Sequence, residues 1–188
     1  QDLVHHLIQG PAACQEHLRG EMAIVRNTNE SGKFNKRAEL PFELRLKDFE
    51  IAMQYVYDFF HDVNVGLTQR GLERLDDMLR AAIMSGLLSD MLTASLAKHS
   101  RTLSENRYHN GHPDLVVKGV YPENRVKAGI EGVEIKTTRK SGGAVDTHGA
   151  RDQWMCVFVY QVDVETEPAR DRAPMSFTEV YLGQVKRA

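Results

Sequence analysis

The sequence predicts an α/β or α+β domain in which helices flank a mixed central sheet. Three observations point there. Apolar residues recur with helical spacing through the first half, the period turns extended beyond residue 110, and strand-like runs then resume after one short helical stretch. With 188 residues, 41% apolar and 27% charged, the composition is that of an ordinary globular chain, which excludes disordered, collagen-like and coiled-coil classes. A single domain over 1–188 is expected, mainly helical through 1–100 and carrying its sheet in 101–188.

Taken in order, the first 26 residues read as partly helical with a break at Gly10–Pro11, and Thr28–Lys36 as a polar loop. Between Asp48 and His61, Phe49, Met53, Val56 and Phe60 recur at spacings of three and four, which predicts an amphipathic helix. A second helix is expected from Thr68, its N-cap, to about Leu96, with Leu72, Leu75, Leu79, Ile83 and Leu87 as the stripe and Gly86 as a weak point. The runs Leu115–Val120 and Gly129–Thr138 predict a hairpin, joined by the turn chemistry of Tyr121-Pro122-Glu123-Asn124. Lys140-Ser141-Gly142-Gly143 ends the second strand, Ala144–Gln153 reads as a short helix, and Met155–Val164 and Phe177–Val185 read as strands on either side of the loop Glu167–Pro174.

No apolar run approaches the ~18 residues of a membrane span, so a soluble protein with no membrane partner is expected. Cys14 and Cys156 lie far apart in the chain. Their placement suits a reducing, cytoplasmic setting and offers no CxxC-type zinc spacing. Charge is uneven: residues 97–151 carry 10 basic and 6 acidic side chains, whereas residues 1–96 carry 10 and 14. A basic block on a slightly acidic protein can supply a local surface for phosphate, the alternative being a solvated face of mixed charge.

The chemistry-bearing residues fall on the hairpin. Side chains alternate along a strand, so Val133 and Ile135 point one way while Glu134 and Lys136 point the other. Antiparallel pairing with the segment that opens at Pro113-Asp114 brings the Asp114 carboxylate beside Glu134. Two such carboxylates repel one another unless a cation lies between them. Hard oxygen donors suit Mg²⁺, which binds through one or two carboxylates and keeps waters for a substrate phosphate. Lys136 adds a donor placed to orient a water and to balance charge developing on the phosphorus.

Gly111-His112-Pro113-Asp114-Leu115 followed by Gly132-Val133-Glu134-Ile135-Lys136-Thr137-Thr138 resembles the PD-(D/E)xK nuclease superfamily, which includes many type II restriction endonucleases. The resemblance covers about residues 105–160. It implies a restriction endonuclease-like core, with metal held by Asp114, Glu134 and the main-chain carbonyl of Ile135, and water assisted by Lys136. It further implies double-stranded DNA as substrate and a homodimer to cut both strands. Some members add an acid from a preceding helix; Glu105 is the nearest candidate by sequence, with Asp90 and Glu73 as alternatives. Arg139, Lys140, His148 and Arg151, in and after the catalytic strand's end, are the expected DNA contacts.

His109 and His112 have a metal-binding spacing for a helix, but Asn110-Gly111 and Pro113 make the stretch a loop, which favours structural or substrate-contacting roles. No GxxxxGK[ST], GxGxxG or GxSxG sequence occurs, so no nucleotide cofactor is expected and metal-assisted hydrolysis is the reaction class with a visible apparatus. The expectation is therefore a Mg²⁺-dependent endodeoxyribonuclease, foremost a type II restriction endonuclease. A repair, transposition or defence nuclease of the same fold and a non-cutting DNA-binding module are the alternatives.

Overall fold

The computed structural model describes residues 4–8, 24–141 and 152–186. It has the α+β architecture expected, with helices in the first half and most strands in the second. The strands are β1 Val4–Ile8, β2 Leu103–Glu105, β3 Leu115–Val117, β4 Gly132–Thr138, β5 Gln153–Gln161 and β6 Ser176–Val185. They form one mixed sheet in the order β1-β6-β5-β4-β3-β2, in which β4 and β5 run parallel and all other neighbours antiparallel. The helices are α1 Leu46–Thr68, the short α2 Leu75–Met78 and α3 Ala81–His99. Among the described residues no helix is long and apolar enough to cross a membrane.

α1 follows from its sequence pattern. The Asp48 carboxylate accepts the Arg45 backbone N–H at 2.9 Å and fixes the first turn. Phe49, Ala52, Met53, Val56, Tyr57 and Phe60 then give one buried face. The helix outruns the expected His61 end and stops at Thr68, so Thr68 is not an N-cap. Its hydroxyl donates back to the Asn64 carbonyl at 2.9 Å, and Gly71, with φ of 72°, turns the chain away.

The second helix therefore starts thirteen residues later than expected, at Ala81. Its buried stripe is also rotated: Met84, Leu88, Leu92 and Leu96 face inward, while Leu72 and Ile83 are more than half exposed. The reason lies in polar anchoring of the intervening turn. Asn64 accepts the Leu75 N–H at 2.7 Å and donates to Asp76 at 2.8 Å, and buried Asp76 also accepts the Met175 N–H at 3.1 Å. Arg74 donates to the Arg172 carbonyl at 2.7 Å, so the loop before β6 and the α1–α3 connection form one knot.

α1 and α3 lie on one face of the sheet. Phe158 packs between Phe49 and Phe177 with ring centroids at 6.3 and 5.7 Å, and the Tyr57 hydroxyl accepts the Phe177 N–H at 2.9 Å. Burial pushes the Tyr57 phenol up to about 12. Leu115, Val133, Ile135, Cys156 and Tyr160 belong to the same core, and Thr137 donates to the Ser85 carbonyl of α3 at 2.8 Å.

Two strands were not expected. β1 stands at Val4–Ile8 in place of helix, and β2 has no counterpart among the expected strands. The Gly10–Pro11 break, Cys14 and the helix expected from Ala144 lie outside the described residues, except that Gln153 opens β5.

Candidate active site

The site is built on β3 and β4. Their register pairs Leu115 with Val133 and Val116 with Gly132, and one further step along both strands places Asp114 opposite Glu134. Leu115, Val133 and Ile135 face the helices, so alternation turns Asp114, Glu134 and Lys136 to the other side of the sheet. Close approach here depends on Gly132. A methyl group at that position would run into the Leu115 carbonyl and the Pro113 ring.

Asp114 stands immediately before β3, and its Oδ2 accepts the Ile135 backbone N–H at 2.8 Å in place of a ladder partner. In extended backbone a residue's N–H and C=O point to the same strand edge, so the Ile135 carbonyl is directed to the same side as Asp114. Glu134 is almost wholly buried, its side chain 3% exposed. Its Oε1 lies 2.8 Å from Lys136 Nζ, and both carboxylate oxygens lie 3.2 Å from His112 Nδ1. His112 is fixed through its backbone: its N–H donates to the Lys127 carbonyl at 3.1 Å and its carbonyl accepts the Gly129 N–H at 2.8 Å.

The electrostatics are those of crowded acids. Burial and the Glu134 charge push the Asp114 carboxyl up to about 6, against the opposing effects of the Ile135 N–H, Lys136 and His112. The donor set is two carboxylates and a main-chain carbonyl, all hard oxygens, and it fits Mg²⁺ with water completing the shell. Among the described residues no three His, Cys, Asp or Glu side chains form a ligating group, so the set has no all-side-chain cage. Gln153, on the same side of β5 as Met155, buries an amide oxygen without a hydrogen-bond partner.

The raised carboxyl has a stability signature. Folded Asp114 keeps its proton up to about pH 6, whereas the unfolded chain releases it near 3.8. In the absence of metal, the folded state therefore gains stability as pH falls from about 6 toward 4 and carries a penalty above 6. Asp114→Asn keeps an acceptor for the Ile135 N–H and loses the charge. It is expected to exceed the parent protein in stability at about pH 7 to 8, with the difference closing near pH 4, in urea unfolding with EDTA. Parallel stability curves for the two proteins would show that no such charge pressure exists.

Asp114, Glu134, Ile135 and Lys136 thus come together. Other expected residues do not join them. Glu105 lies on β2 and not on a helix; it is exposed, and its pairing with Leu115 puts it on the helix side of the sheet. Of its alternatives, Asp90 is on α3, which covers the face opposite the carboxylates, and Glu73 is exposed between α1 and α2. Arg139 also falls on the helix side, its guanidinium 5.6 Å from the centre of the Tyr160 ring. Lys140 is exposed just past β4, its N–H donating to Thr138 Oγ1 at 3.1 Å. His148 and Arg151 lie outside the described residues. His112, expected to be structural or substrate-contacting, contacts Glu134; its position two residues before Asp114 is the sequence signal for this.

Comparison with protein-family models, with curated proteins and with solved structures returned no match for this chain.

Proposed function

We propose that the protein is a Mg²⁺-dependent endonuclease that hydrolyses phosphodiester bonds of double-stranded DNA through a PD-(D/E)xK-type site. The observation that supports this most is the convergence of Asp114, Glu134 and Lys136 on one side of the β3–β4 hairpin. Bound Mg²⁺ would neutralise non-bridging phosphate oxygens and make its water more acidic. Asp114, Glu134 and the Ile135 carbonyl would hold it. Glu134, buried between Lys136 and His112, has little freedom to turn, so its oxygens are oriented before metal or substrate arrives. Lys136, 23% exposed, reaches both Glu134 and solvent, which suits a group that positions the attacking water and offsets charge at the phosphate.

Within that class, a sequence-specific type II restriction endonuclease acting as a homodimer in the cytoplasm is the finer reading, since palindromic sites call for a two-fold pair of active sites. Digestion of a sequenced plasmid tests both levels. Linear or nicked product with Mg²⁺ and none with EDTA is the expected result, and discrete fragments identify a sequence-specific enzyme. Stable binding to a plasmid that stays intact with every divalent cation would favour a non-cutting DNA-binding module instead.

A further inference from the structure

Beside the carboxylates, the segments 106–114 and 118–131 are knitted into one platform. Asn106 is its hub: the amide nitrogen donates to the Pro113 and Val126 carbonyls at 3.0 and 2.8 Å, and the amide oxygen accepts the Tyr108 and Val126 N–H groups at 3.0 and 3.1 Å. The Arg107 N–H donates to the Asn124 carbonyl at 3.0 Å, and His112 bonds to Lys127 and Gly129 as above. Gly111 lets the two segments touch, because a methyl group there would strike the Val126 carbonyl and the Asn106 amide.

The platform presents cations in fixed places. Arg125 has extended backbone, with φ of −127° and ψ of 119°. Arg125 and Lys127, both exposed, flank Val126, whose backbone N–H and carbonyl are bonded to Asn106; two positions of extended chain span roughly 6.6 Å. Exposed Arg107 joins them beside Asn124. The Arg125 guanidinium lies over the Tyr108 ring, 5.4 Å from its centre, within range of a cation–π attraction. Among the described residues none of these three cations is paired with a carboxylate. Lys118, by contrast, is occupied by the Ser100 and Arg101 carbonyls.

Three solvated cations on a backbone-locked surface repel one another and gain most from a polyanion that spans them. We propose that Arg107, Arg125 and Lys127 form a sequence-independent contact surface for the phosphate backbone of duplex DNA, gripping the strand next to the phosphate to be cut. This rests on the nuclease reading for its substrate but concerns binding, and can be tested apart from catalysis.

The test is fluorescence anisotropy of a short labelled duplex with Ca²⁺, over about 50–200 mM NaCl. Each phosphate contact contributes about 0.9 to the slope of log affinity against log salt. The triple variant Arg107→Gln/Arg125→Gln/Lys127→Gln is expected to lower that slope by about 2 to 3 and weaken binding at least tenfold, equally for unrelated sequences. Lys47→Gln/Lys98→Gln, on the helical layer, should leave both unchanged. An unchanged slope in the triple variant, an equal loss in the helical control, or no duplex binding by the parent protein would each overturn the assignment. So would tighter binding of duplex RNA with the same slope. If the parent cuts plasmid while the triple variant keeps its slope, the platform fails and the nuclease reading stands. If the slope falls but no cation supports cutting, the platform stands and the catalytic reading fails.

Discussion

Glu134→Gln is expected to lower the rate of Mg²⁺-dependent plasmid cleavage by at least ~10²-fold, because it removes one of the two described carboxylates that would hold the proposed metal. The change preserves shape, and the amide oxygen still faces Lys136 and His112, which lie 2.8 and 3.2 Å from the carboxylate in the parent. Duplex binding with Ca²⁺ serves as the control for folding. A second readout tests the charge contact between Glu134 and Asp114 directly. Glu134 is part of what raises Asp114, so its neutralisation should bring the Asp114 carboxyl back down from about 6, seen as a lower midpoint in a carbon-detected NMR titration. Cleavage within about threefold of the parent, with the Asp114 midpoint unmoved, would mean that Glu134 acts neither on metal nor on its neighbour.

The largest stability effect is expected far from the site, at Asp76. Its two oxygens accept from Asn64 and from the Met175 backbone, and Arg74 lies 3.8 Å away, all where Asp76 is 1% exposed. Asp76→Ala leaves the Met175 N–H and the Asn64 side-chain amide without their acceptor and removes a carboxylate charge from beside the Arg74 guanidinium. A loss of about 3 to 5 kcal/mol follows, the range for breaking a buried charged network by removing one partner. Since 1 kcal/mol shifts Tm by roughly 2 to 4 °C in a chain of this size, Tm should fall by about 6 to 20 °C. Asp76→Asn, which retains one oxygen, should lose clearly less. A loss under about 1 kcal/mol for the alanine variant would show that the loop before β6 is not held by this knot.

These residues show what was legible in the chain. The Asp114–Glu134 pairing followed from strand alternation and an antiparallel hairpin, both local rules, and the observed register agrees with them. Alternation along β4 also fixes the side of Arg139: it follows Thr138, so it belongs with Ile135 and Thr137 on the helix side, where it lies over Tyr160. His112 reaches Glu134 because distant backbone groups at Lys127 and Gly129 set its position, and no local pattern reports that. The same holds for the late start of α3. Its leucine-rich approach has a helical period, but Asn64 and Asp76 divert the backbone through hydrogen bonds that only the folded chain brings together. β2 has three residues, too few to show a period, and exists because β3 lies beside it.

β1 has a temporal consequence. It hydrogen-bonds to β6, with Val4 opposite Gly183, so the first of the described strands pairs only once the last of them has been made. Closing so long a loop is entropically late, which places docking of β1 after the more local pairing of α1 with α3 and of β3 with β4.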